Sequence, residues 1–129
     1  MKTIFAMLIL AAGTGGAQTV TVPGATQYQV NLTWTAPTGC TSTTPCTYNV
    51  YRVPGTVTIG AGTAGATLVG TTASQTVAYS DTTVATGTTY SYAVETVQGG
   101  ANSVPSNTFT VTIPLVPGAP AGLSGSVGP

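Results

Sequence analysis

Charge is nearly absent from this 129-residue chain, whose charged side chains are two basic and two acidic, with no histidine. They are Lys2, Arg52, Asp81 and Glu95. Acid–base catalysis through histidine and lysine Schiff-base chemistry therefore have no residues to work with. Nucleic-acid binding is excluded as well, because neutralising phosphates takes several cations. Long apolar runs are missing too. No stretch approaches the ~18 apolar residues that a membrane span needs. The two cysteines fall short of the three or four ligands of a metal site, and no histidine completes one. No cofactor is expected.

Threonine, valine and tyrosine stand where charge is missing. β-Branched and aromatic residues are stiff at χ1 and suit pleated sheets, so the composition points to an all-β chain and away from disorder. One domain is expected, since the length does not allow two ordinary ones.

The N-terminus reads as a secretory signal. Met1 and Lys2 form a short basic start, residues 4–12 (IFAMLILAA) an apolar stretch, and Gly15, Gly16 and Ala17 a small-residue cleavage site. Cleavage after Ala17 leaves a mature chain with one base and two acids, expected to be secreted, periplasmic or held at the cell surface. In an oxidising compartment Cys40 and Cys46 are expected to pair. The segment CTSTTPC lies between strand-like runs and lacks the C-x-x-C spacing of a thiol catalyst. A structural disulfide stiffening one loop is expected.

Downstream of Ala17 the apolar period is two, the period of strands. Strands are expected at 19–22, 28–36, 47–53, 68–71, 77–80, 88–97 and 107–113, with a weak one near 57–59. Alternation turns Val30, Leu32, Trp34, Tyr48, Val50, Tyr90, Tyr92, Phe109, Val111 and Ile113 inward. About seven short strands spaced by turn signals predict an immunoglobulin-like, two-sheet antiparallel sandwich over residues 18–113. Residues 114–129 (PLVPGAPAGLSGSVGP) read as a Pro/Gly-rich flexible tail, or as a strand offered to a neighbour.

VNLTWTAP, TYNVYR, YSDTTVATGTTYSYAVETV and SVPSNTFTVTIP together resemble a fibronectin type III domain of the bacterial or phage type. The resemblance covers residues 19–114. It implies that Trp34 is the core tryptophan, that Val84 is a hydrophobic plug, and that Tyr90 ties down the following crossover through its hydroxyl. It implies a sandwich of three strands against four and a binding or spacer role without catalysis. The cysteine pair is no part of that family's pattern. The Arg-Gly-Asp tripeptide is absent; the corresponding loop, 98–106, reads QGGANSVPS.

Individual residues support no catalytic site. Asp81 lies in a turn-like SDTT and is expected to accept from turn amides. Glu95 is expected on a solvated strand face, and Arg52 at a strand end reaching to water. Three functional readings follow. The first is an exported non-catalytic module that contacts an unidentified protein or cell-surface partner. The second is a structural connector subunit of a surface assembly or phage particle. The third is a carbohydrate-binding module using Tyr51, Tyr28 or Tyr79. Edges without lysine and a net charge of zero also predict self-association.

Overall fold

The computed structural model describes residues 27–62 and 65–129. The leader at 1–17 and the strand at 19–22 lie outside the described residues. The described chain forms β1 (Val30–Thr33), β2 (Thr47–Pro54), β3 (Thr67–Thr71), β4 (Ala78–Asp81), β5 (Thr89–Gln98), β6 (Ala101–Asn102) and β7 (Phe109–Thr112), with no helix. Every pairing is antiparallel. β1 pairs with β4. The second sheet runs β3–β2–β5, and β6 and β7 both pair with β5. The architecture is all-β, with two antiparallel sheets in the immunoglobulin-like sandwich arrangement.

Period-two alternation explains the core. Val30 and Leu32 from β1 meet Val50, Tyr90 and Tyr92 from the facing sheet, with Ile113 beneath. Trp34, Val84, Val94 and Tyr79 pack around this cluster. Trp34 lies one residue past β1, yet its N–H donates to the Val77 carbonyl and continues the β1–β4 ladder. Its indole meets Tyr48 edge to face, with ring centres 5.2 Å apart. At the β3–β4 side Tyr79 closes the sandwich. Its phenol donates to the Val69 carbonyl over 2.7 Å, and its ring lies where any side chain at Gly70 would stand.

The weak strand expected near 57–59 does not form. The glycine-rich segment instead crosses the outer face of β2 and β5. There Ile59, Val53 and Ala93 make a second small core, with Val57 and Ala66 packed against it. Ser91 holds the crossing in place: its hydroxyl accepts from the Val57 N–H and donates to the Gly55 carbonyl. Thr108 accepts from the Ile59 N–H. Residues 90–93 of β5 are consequently buried on both faces.

Two further expectations need correcting. Phe109 has the inward parity but is 49% exposed, because it stands at the first position of β7, where no described residue covers its ring. The 98–106 loop is also more ordered than its composition suggests. It contains β6, and beyond it Ser103 and Ser106 imitate a paired strand. Each donates its N–H to a β5 carbonyl (Thr96 and Val94), and each hydroxyl accepts the N–H of that same residue. The tail after Ile113 carries no strand. Leu115 packs over Gly87, whose φ of +71° suits the turn before β5.

Candidate functional site

Two constellations stand out, one at an end of the sandwich and one between its sheets. The first is the β1–β2 loop. Its threonines bond among themselves: Thr41 shares hydrogen bonds with the hydroxyls of Thr43 and Thr44, and Thr44 donates to the Gly39 carbonyl. The Cys40–Cys46 disulfide closes the loop, with Cα atoms 5.4 Å apart. Two glutamines then fasten it to the body. Gln98, the last residue of β5, donates through Nε2 to the Gly39 and Thr44 carbonyls, both at 3.0 Å. Gln75, in the β3–β4 turn at a φ of 61°, donates its N–H to the Cys46 carbonyl and accepts the Cys46 N–H through Oε1. An excursion of this length is thereby held to both neighbouring connections. Beside it runs a groove of about 220 Å³ lined by Trp34, Pro37, Tyr48, Val94 and Val104, rimmed with hydroxyls and free of charge.

The second constellation unites residues read separately in the sequence. Arg52 of β2 reaches across to Asp81 of β4, with Nη1 2.7 Å from Oδ2. Tyr92 of β5 donates its phenol to the same oxygen over 2.8 Å. Thr83 donates its N–H and its hydroxyl to Oδ1. Asp81 is 1% exposed, and both carboxylate oxygens are occupied. Burial pushes this carboxyl up; the bonds from Thr83, Tyr92 and Arg52 outweigh it and hold it below the ordinary aspartate range. Burial and the Asp81 carboxylate drive the Tyr92 phenol far above its ordinary value. The Arg52 guanidinium also lies 4.7 Å above the centre of the Tyr90 ring. Arg52 does not reach for water as expected. The buried carboxylate opposite gives it a stronger partner than solvent.

Tyr90 stands at the edge of this cluster, its hydroxyl accepting the Ala85 N–H over 3.1 Å. Val84, next to that amide, packs on the core. The crossover from β4 to β5 is thereby tied to the β5 start.

The remaining carboxylate lies elsewhere. Glu95 pairs with Asn49 on the outer face of the second sheet and accepts from Asn102. Partial burial and the Glu95 carboxylate raise the neighbouring Tyr51 phenol. Asp81 lies between the sheets and Glu95 outside them, so the two do not share a cleft. Among the described residues no three His, Cys, Asp or Glu side chains gather where a metal ion would fit. No described helix is long and apolar enough to cross a membrane. Of the tyrosines weighed for stacking, Tyr79 is committed to Val69, Tyr51 is half-buried opposite Leu68 and Ala93, and Tyr28 lies at the rim of β1.

Sequence reasoning missed Gln75, Gln98 and Ser91. A glutamine before Gly99-Gly100 carries no local mark of a clasp made 54 and 59 residues away. A serine on an alternating strand reads as solvent-facing. Comparison with protein-family models and with curated proteins finds no match to this chain.

Proposed function

We propose that this chain is an exported, non-catalytic module of the fibronectin type III kind that contacts a protein or cell-surface partner through its disulfide-bearing end. The observation that carries the reading is the double clasp of the Cys40–Cys46 loop by Gln75 and Gln98. A surface loop held in one shape by side chains from two other connections loses little conformational entropy on binding. Its uncharged, hydroxyl-rich rim suits a neutral protein or surface epitope. The fibronectin-like assignment is supported by the pairing of β1 with β4 and of β3–β2–β5–β7, and by the Tyr90 hydroxyl on the crossover amide. The non-catalytic reading is supported by the engagement of both Asp81 oxygens and by the separate location of Glu95. Export is supported by the disulfide and by the leader-like start of the sequence.

The test is retention of purified chain on surface preparations of the producing cell. Cys40→Ser/Cys46→Ser and Gln98→Ala should each weaken retention by about tenfold or more, with the sandwich still folded by circular dichroism. Retention unchanged in both variants removes the loop end as the binding surface. The connector reading draws on the tail, where Leu123 and Val127 are 98% and 100% exposed. Loss of retention only when residues 114–129 are deleted would favour it.

A further inference from the structure

The groove beside the disulfide loop has a property that its apolar walls do not explain. Trp34 and Tyr48 both line it, and each carries a buried polar atom, the indole N–H and the phenol, with no hydrogen-bond partner among the described residues. Buried polar groups are nearly always paired, because an unmet donor loses its water and gains nothing. Tyr48 is 1% exposed, so a phenylalanine there would fill the same space without that cost. An indole N–H can only donate, so whatever meets it must bring an acceptor. The walls carry no charge to receive an ionic occupant. The hydroxyls of Ser103 and Ser106 are already committed: each accepts a β5 amide and donates to a carbonyl, of Val104 and Asn107. Few donors therefore remain on the rim for a ligand dense in hydroxyls. Two lone donors among Trp, Tyr and Pro side chains instead match a chain that offers carbonyls and apolar rings, which is the surface of a polyproline II segment.

Such a segment stands at the other end of the same molecule. Residues 117–120 read PGAP, and two prolines three apart fall on one face of a polyproline II helix, whose period is three. Pro117 and Pro120 are exposed, in a stretch with no strand and no charge. We propose that Pro117 and Pro120 of one copy seat in the Trp34–Tyr48 groove of the next, with carbonyls of that segment receiving the indole N–H and the phenol, so that copies join head to tail. The occupant is not the chain's own segment. Leu115 and Val116 lie near the start of β5, over Gly87 and beside Thr86, whereas Val94 and Thr96 line the groove further along β5. Thr88 to Val94 spans ~20 Å of extended chain, and the four steps from Val116 to Pro120 reach at most ~14 Å. A segment and a groove set apart in this way make a heterologous contact, which repeats from copy to copy. Neither polar atom meets solvent as the rings stand, so seating includes a small turn of the rings. The inference goes beyond the loop-end reading and stands whether or not the loop meets another partner.

Light scattering on the full chain, with the fluorescence of Trp34, its only tryptophan, reading the groove, tests the proposal. The average mass should rise with concentration, and Pro117→Ala/Pro120→Ala, both at exposed positions, should weaken association by about tenfold or more. A synthetic peptide of residues 115–123 should shift Trp34 fluorescence saturably and break up the larger species. Tyr48→Phe keeps the ring and should weaken that peptide's binding, with the fold intact by circular dichroism. A chain that stays monomeric at every concentration overturns the proposal, as does a peptide that leaves Trp34 unchanged. Undiminished peptide affinity in Tyr48→Phe overturns it as well. Association that survives the two proline substitutions does the same and assigns the contact to another surface. A neutral oligosaccharide that shifts Trp34 where the peptide does not also overturns it and gives the groove to a sugar.

Discussion

Replacing Asp81 by asparagine changes one atom in the buried cluster and isolates what its charge contributes. In the wild type Oδ2 receives Arg52 and Tyr92 at 2.7 and 2.8 Å, and Oδ1 receives both donors of Thr83. Asparagine retains Oδ1 for Thr83. In place of Oδ2 it presents an NH2, which Tyr92 can meet by turning its hydroxyl to accept. Arg52 cannot turn: it has no acceptor and loses its counter-charge. Breaking a fully buried pair costs about 3–5 kcal/mol. The Arg52 side chain is 19% exposed and keeps its bond to Thr83, so water and that hydroxyl recover part of the cost. The expected loss is about 2–3 kcal/mol, or roughly 10–20 °C in Tm for a domain of this size. Urea and thermal unfolding followed by Trp34 fluorescence measure it. Because the folded carboxyl is held below its ordinary value, its stabilisation is present above pH 3.8 and is lost as pH falls further. Asp81→Asn should flatten this acid limb. A double-mutant cycle with Arg52→Met should return a coupling of about 1–3 kcal/mol. A Tm within about 3 °C of wild type, with the acid limb intact, would refute the assignment of stability to this ion pair.

Three other outcomes are expected. Cys40→Ser/Cys46→Ser releases a loop with a sequence separation of 6 and should cost about 2 kcal/mol in urea unfolding, with the sheet signal in circular dichroism unchanged. Tyr90→Phe leaves the Ala85 N–H without its acceptor and should cost about 1–3 kcal/mol, with faster amide exchange confined to residues 82–87. Ser91→Ala removes the group bonding Val57 and Gly55. It should expose the 55–62 crossing to limited proteolysis well before the sandwich unfolds, and equal cleavage rates in variant and wild type would show that the Ile59 cluster and the Thr108 hydroxyl hold it without Ser91.

How the loop end was legible differs from residue to residue. Cys40 and Cys46 were readable because two nearby cysteines with no further metal ligand beside them are expected to pair. Tyr90 was readable from its place in a recurring pattern, and alternation alone assigned Tyr48, Val50 and Tyr92 to the interior. Arg52 and Asp81 were both visible, but their meeting was not. They are 29 residues apart on strands of different sheets, and no local pattern records which strands face each other. Phe109 failed for a related reason, since parity tells which way a side chain points and not whether anything lies above it.

The residue order by itself determined the class of fold and the poverty of its chemistry. A period of two, dense in β-branched and aromatic residues, has only sheets to form, and so few ionisable groups rule out whole reaction types. Tertiary structure decided how those sheets were used. It brought the one described cation onto a buried carboxylate, laid a glycine-rich segment over β5, and clasped the disulfide loop with two glutamines. Each of these depends on distances between strands remote in sequence, which are set by packing and register rather than by any neighbouring residue.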